Sequence, residues 1–284
     1  MMVIKHTEIQ NFINDYDLII SDIFGVIHNG VSLLPNADGF FKKHANKIVL
    51  LTNDGRQVPS VISFLSELGV DKGLHYKDIY TSGFFLNEYF KSFESKPYKC
   101  FIFEQYTSPS PGCLKIFDQW PNISFTNNPH EADFCFIAGL LKLESLTVED
   151  NHVIMQDLKV LLNKQCNMVC PNPDKFVVYG EKDFLTLAGL VAETYQNMGG
   201  NVISFGKPAK YPYETVLKQY PAKKTVMIGD TLDTDILGAN QVGIDSILIT
   251  TGVSNKQWQQ HSSASFDHWL AKQAIQPTWV VDSL

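Results

Sequence analysis

Short apolar runs alternate with stretches of helical spacing along nearly the whole chain, and this rhythm limits the fold more than any other feature. "DLIISD" (17–22) reads as a strand, "NADGFFKKHANK" (36–47) as a helix capped by Asn36, and "IVLLTND" (48–54) as a strand. "VPSVISFLSELG" (58–69) reads as a helix stopped by a glycine, "DIYTSG" as a short strand and "FFLNEYFKSF" as a helix. After residue 201 the rhythm resumes with strands "VISFG" (202–206), "KTVMIGD" (224–230), "SILITTG" (246–252) and a weak "TWVVDSL". Between them lie helices "YETVLKQY" (213–220), "TDILGANQVG" (234–243) and one around "SFDHWLAKQA". Strand–helix alternation of this kind predicts an α/β fold, a parallel sheet covered by helices on both faces. Ligands of such sheets sit at the carboxyl ends of the strands.

The middle of the chain has its own strands, "KCFIFEQ", "DFCFIAGL" and "NMVCPN", and two helices, "TVEDNHVIMQDLKVLLNK" (147–164) and "DFLTLAGLVAETYQNMGG". Proline-rich punctuation, "SPSPG" (108–112) and "PNPD" (171–174), marks loops within it. The expected organisation is a three-layer, Rossmann-like core formed by residues 1–96 and 202–284. Residues 97–201 form an α/β domain inserted into it.

Composition narrows the function classes. At 284 residues, 44% hydrophobic and 19% charged, the chain suits a soluble globular protein with a sizeable core. A net charge of −7 with scattered basic residues disfavours a nucleic-acid face. No apolar run reaches the ~18 residues of a membrane span, and the start lacks a signal-peptide core. The five cysteines, Cys100, Cys113, Cys135, Cys166 and Cys170, form no C-x-x-C pair, and several sit inside apolar strands. Free buried thiols and a cytoplasmic location are expected. No G-x-G-x-x-G follows the first strand and no G-x-x-x-x-G-K-[ST] occurs, which argues against dinucleotide oxidoreductases and P-loop kinases.

Four strand ends carry chemistry. The first strand ends at Asp22, the second in "TNDGR" with Thr52 and Asn53, "VISFG" at Lys207 in "GKP", and "KTVMIGD" in "GDTLDTD" with Asp230, Asp233 and Asp235. In one parallel sheet all four would share a rim. Singly, each has an ordinary explanation: a turn, a helix cap, a solvated lysine or a solvated acidic loop. Together they suit phosphoryl transfer. Oxygen ligands hold a hard divalent cation, the ammonium offsets phosphoryl charge, Thr52 and Asn53 hydrogen-bond its oxygens, and one carboxylate remains as nucleophile.

"SDIFGV", "LLTND", "GKP" and "IGDTLDTDILGA" resemble, in order, the four motifs of the haloacid-dehalogenase (HAD) superfamily of phosphohydrolases. The insertion between the second and third motifs, "PNPD" and "GGNVISFGKPAKYPYE" resemble its capped class IIA subgroup, which includes predicted sugar phosphatases. The resemblance implies a magnesium-dependent phosphatase acting on a small phosphorylated substrate. It makes Asp22 the nucleophile and a Mg²⁺ ligand, Thr52 and Asn53 the phosphate-binding pair, and Lys207 the group neutralising both nucleophile and phosphate. Asp230 ligates the metal, Asp235 supports it directly or through water, and Asp233 receives no role. The inserted domain becomes a cap that closes over the site and selects the substrate. Caps of this subgroup often pair into homodimers.

One position departs from the pattern. The family's first motif is D-x-D, whose second Asp gives the metal a backbone carbonyl and the leaving group a proton. Here Phe24 retains the carbonyl and lacks the acid. General acid–base catalysis is worth ~10²–10⁴-fold, so turnover should survive with a bias towards good leaving groups. Asp54, His28 and Asp174 are the candidates for a substitute acid or for substrate specificity. The alternative is a phosphoester-binding or regulatory protein with little hydrolytic activity.

Overall fold

The computed structural model describes residues 8–93, 95–104, 106–108, 111–141, 148, 151–180, 183–262 and 264–284. In chain order its strands are β1 (Leu18–Ser21), β2 (Ile48–Thr52), β3 (Asp78–Thr81), β4 (Tyr98–Ile102), β5 (Thr107–Ser108), β6 (Ile123–Thr126), β7 (Phe134–Phe136), β8 (Leu140–Leu141), β9 (Asn167–Cys170), β10 (Phe176–Tyr179), β11 (Asp183–Thr186), β12 (Val202–Ser204), β13 (Thr225–Gly229), β14 (Asp245–Ile249) and β15 (Trp279–Val281).

Six strands form a sheet in the order β15-β14-β13-β1-β2-β3, parallel throughout. β1, β2 and β13 are buried at every residue because successive side chains enter two different apolar layers. Ile19, Leu50 and Val226 pack with Phe40 and Phe41 of helix Ala37–His44 and Val61 and Leu65 of helix Val58–Glu67. Leu18, Ile20, Val49, Leu51 and Met227 pack on the other face with Leu86 and Phe90 of helix Ser82–Phe90 and Val216 of helix Lys210–Gln219. Each such side chain withdrawn from water contributes roughly 1.5–3 kcal/mol before entropy is counted.

A second parallel sheet has the order β12-β9-β7-β4-β6. It shares the second apolar layer of the first. Phe90 meets Phe117, Trp120 and Phe134 at ring-centroid distances of 5.5, 6.0 and 6.2 Å. Two antiparallel pairs, β10–β11 and β5–β8, complete the strands. The five cysteines are buried and none is in a disulfide among the described residues. No helix among the described residues is long and apolar enough to cross a membrane.

Four expectations change. Val202–Ser204 pairs with β9 in the second sheet, so a boundary at residue 202 leaves one strand of that sheet on the core side. An apolar run shows that a strand forms, but not which sheet edge it joins. "DFLT" is the second strand of the β10–β11 hairpin, and the helix begins at Gly189. The two aromatic and β-branched runs either side of Gly180 carry that hairpin's signal. Asn36 precedes its helix in the left-handed region, at φ 63°, and makes no side-chain capping bond. The long middle helix spans His152–Asn163, where Asn151 caps it by accepting from the Val153 and Ile154 N–H groups. The expected start of that helix at 147, and 109–110 of the "SPSPG" loop, lie outside the described residues.

Candidate active site

β1 and β13 are neighbours, so the loops leaving their carboxyl ends meet. The Asp22 N–H donates to the Ile228 carbonyl at 2.9 Å, which extends the ladder one residue past β1. The chain then turns away through Gly25, at φ 79°. A Cβ at Gly25 would lie 2.3 Å from Asp230 Oδ2, and one at Gly252 only 1.9 Å from it. Both glycines therefore let backbone press against the Asp230 carboxylate. That carboxylate accepts from the Val253 N–H at 2.8 Å and the Thr231 hydroxyl at 3.0 Å.

After β13 a π-helical turn, Leu232–Ile236, leads into helix Leu237–Val242. The wide turn separates its acids. Asp235 is fully buried, and its Oδ2 accepts from the Asp230 and Thr231 N–H groups at 3.2 and 3.1 Å. Asp233 points outward, 3.5 Å from Lys175 Nζ, and so ties the acidic loop to the segment after β9.

Lys207 arrives from the second sheet, not from the rim of the first, yet its side chain is only 1% exposed. Nζ lies 2.7 Å from Asp22 Oδ1 and 2.7 Å from Asp235 Oδ1. Oxygens of Asp22, Asp230 and Asp235 all lie within 4.8 Å of one another. Burial and mutual repulsion push the Asp22 and Asp230 carboxyls above the usual range, while Lys207 pulls them back. Two buried carboxylates and the half-buried Asp22 facing one ammonium leave two negative charges uncompensated when all are ionised, and a hard divalent cation fits both that charge and this oxygen donor set.

Thr52 and Asn53, the pair expected to bind phosphate, have different surroundings. Thr52 Oγ1 accepts from the Asp54 N–H at 3.2 Å, which leaves its own proton to donate. The Asn53 side chain is already engaged. Oδ1 accepts from the Lys207 N–H at 2.7 Å, and Nδ2 donates to the Lys207 carbonyl at 3.0 Å and to Asp174 Oδ1 at 2.8 Å. Its amide thus clamps the Lys207 segment and the cap loop together rather than turning to a phosphoryl oxygen.

A cavity of about 460 Å³ opens beside Asp22, lined by Phe24, Thr52, Phe64, Asp174, Tyr179 and Leu185 among others. The Phe24 ring meets His28 edge-on at 5.0 Å, and His28 meets Phe64 at 5.3 Å. His28 is 2% exposed, and its Nδ1 accepts from the Gly30 N–H at 2.9 Å. Burial, with Arg56 nearby, lowers its pKa to about 4. Asp54 is bound by Arg56, whose Nε reaches Oδ2 at 2.9 Å and whose Nη2 reaches it at 2.5 Å. The same guanidinium lies 4.8 Å above the Phe64 ring. Residues near the cavity that the motifs do not reveal, Arg56, Phe64 and Tyr179, come from a loop, a helix and the hairpin. Only the contacts across the fold disclose them.

The fold and site together define a capped α/β protein whose carboxylates and one lysine converge beside the ends of parallel strands. Two separate stretches of the chain match haloacid-dehalogenase-like hydrolase families. Residues 19–107 match the haloacid dehalogenase-like hydrolase family and residues 204–284 the HAD-hydrolase-like family. A crystal structure of a haloacid dehalogenase-like hydrolase from Brucella suis superimposes with a TM-score of 0.75 at 25% identity, covering 98% of each chain. Ribonucleotide monophosphatase NagD of Escherichia coli is 25% identical over 84% of this chain and 88% of its own length. Glycerol-3-phosphate phosphatase of Gallus gallus is 37% identical over 83 residues, which span 28% of this chain and 25% of that protein.

Proposed function

We propose that the protein is a magnesium-dependent phosphatase that hydrolyses a small organic phosphomonoester through an aspartyl-phosphate at Asp22. The observation that carries this reading is the buried Lys207 ammonium shared at 2.7 Å by Asp22 and Asp235, with Asp230 in the same carboxylate cluster. Burial of that cost is expected where charge is to be handled, not at an ordinary turn. The names of the E. coli and chicken relatives, a ribonucleotide monophosphatase and a glycerol-3-phosphate phosphatase, support the reaction class. A cavity of about 460 Å³ suits a small leaving group such as that of a sugar phosphate.

Asp22, Asp230, the Phe24 carbonyl and, directly or through water, Asp235 would hold the cation. When bound, Mg²⁺ supplies electrostatic stabilisation of phosphoryl oxygens. The chain's own groups do the rest. Asp22 presents a carboxylate to phosphorus, Lys207 fixes that carboxylate and offsets phosphoryl charge, and the Thr52 hydroxyl donates to a phosphoryl oxygen. Asn53 holds the Lys207 backbone where the ammonium can reach.

Metal-dependent release of phosphate from p-nitrophenyl phosphate tests the proposal. Turnover should vanish with EDTA and return with added Mg²⁺. Activity untouched by chelation, or none under any divalent cation, would overturn it. The alternative, a phosphoester-binding or regulatory protein with little hydrolytic activity, draws on Phe24 alone, and rapid hydrolysis of an unactivated alkyl phosphate would exclude it. Where no other group supplies the proton, Phe24→Asp is expected to raise turnover of alkyl phosphates by up to the ~10²–10⁴-fold worth of general acid–base catalysis. Its effect on p-nitrophenyl phosphate should be smaller, since that leaving group departs without a proton. Equal effects on both substrates would count against this account of position 24.

A further inference from the structure

We infer that Asp174, carried by the loop between β9 and β10, donates the proton to the leaving group that residue 24 cannot supply. The inference rests on the phosphatase reading above and assigns a missing part of it.

Elimination among the candidates comes first. Asp54 faces the cavity but is bound through both its oxygens by Arg56, so it stands as a charged partner of a guanidinium and not as a proton donor. His28 offers Nδ1 as an acceptor to the Gly30 N–H and stays neutral at physiological pH, so it holds no imidazolium proton to give. Neither suits the role. Asp174 lines the same cavity as Asp22, Phe24 and Thr52.

The placement of Asp174 is built, not incidental. Its N–H donates to Asn172 Oδ1 at 2.9 Å, which closes a tight turn. A Cβ at Gly189 would lie 2.4 Å from the Asp174 carbonyl and 2.2 Å from that of Pro173, so only glycine lets the start of helix Gly189–Asn197 press on this loop. From the core side Asn53 Nδ2 donates to Oδ1 at 2.8 Å, and among the described residues no hydrogen bond engages Oδ2. The second oxygen can therefore carry the proton. Burial raises the Asp174 pKa to about 7, against the pull of Lys207 and with the push of Asp22 and Asp235, so both protonation states are populated near neutrality.

The step balances. Asp22 oxygen forms a bond to phosphorus as the P–O bond to the leaving group breaks, and the proton of Asp174 moves to the departing oxygen. Water then attacks the aspartyl-phosphate and releases one proton to solvent, from which the Asp174 carboxylate is reprotonated. The P–O bond to Asp22 breaks, releasing phosphate and restoring the acid.

Asp174→Asn is the test, because Asn keeps an oxygen to accept from Asn53 and nearly the same volume. With Mg²⁺, turnover of β-glycerophosphate is expected to fall about 10²-fold or more in kcat. Turnover of p-nitrophenyl phosphate should stay within about 3-fold, which also reports that the variant is folded. Phe24→Asp combined with Asp174→Asn should restore β-glycerophosphate turnover, since the acid is returned at the other position. Equal losses on both substrates, an unchanged β-glycerophosphate rate, or no rescue by Phe24→Asp would each overturn the assignment. Absence of metal-dependent p-nitrophenyl phosphate turnover in the unmodified protein would instead bring down the phosphatase reading itself.

Discussion

Asp22→Asn is expected to lower turnover by at least about 10⁴-fold, the scale at which loss of a nucleophile is felt, without lowering the melting temperature of the metal-free protein. The two halves of this result have different causes. The amide cannot form the covalent intermediate, so every substrate is affected alike, whatever its leaving group. The fold, by contrast, loses a carboxylate that burial and the charges of Asp230 and Asp235 disfavour. Lys207 loses one partner at 2.7 Å but retains Asp235 at the same distance. Removing one of two excess negative charges should leave stability unchanged or raised. Kinetics with p-nitrophenyl phosphate and a thermal melt in EDTA check both. Residual turnover above about 1% would remove Asp22 from the nucleophile's place, and a fall in melting temperature would show that the Asp22–Lys207 pair dominates the repulsion.

Lys207→Met should do the opposite to stability. Methionine matches the stem in length and leaves Asp22 and Asp235 facing each other with no cation between them. Removing one partner of a buried pair costs about 3–5 kcal/mol, which for a chain of this size is a fall on the order of 10 °C. Mg²⁺ should recover part of the loss by restoring positive charge to the cluster. Activity should fall at least about 10²-fold even when the variant is held folded by metal, because an electrostatic contribution of this kind is worth about 2.7–4 kcal/mol in the transition state. A melting temperature within about 2 °C of the unmodified protein would mean that the carboxylates take up protons readily and that Lys207 is not their main counter-charge. Together the two variants separate the ends of one ion pair.

The six-stranded sheet is legible because its strands are apolar along their whole length and each is punctuated by a helix. Burial on both faces leaves no polar alternation to confuse the reading. Asp22, Thr52 and Asp230 could be placed on one rim for the same reason, since each ends a strand of that sheet. Lys207 was harder. A lysine before a proline looks solvated, and the three residues of β12 carry no mark of the sheet edge they join, yet the ammonium is among the most buried charges in the molecule. Asn53 shows a different limit. Its residue type suits an oxygen-rich site, but the use of its amide depends on Lys207 and Asp174, 154 and 121 residues away. The separation of Asp233 from Asp235 depends on a π-helical turn that no spacing rule anticipates.

The aromatic layer beneath both sheets has a thermodynamic consequence. Phe90 leaves the core on helix Ser82–Phe90 and packs on Phe117, Trp120 and Phe134 around the second sheet, in one apolar cluster with Ile20, Val49 and Met227. Opening either sheet exposes side chains that the other relies on. The two therefore share a single unfolding transition, and the inserted segment draws its stability from the sheet into which it is inserted.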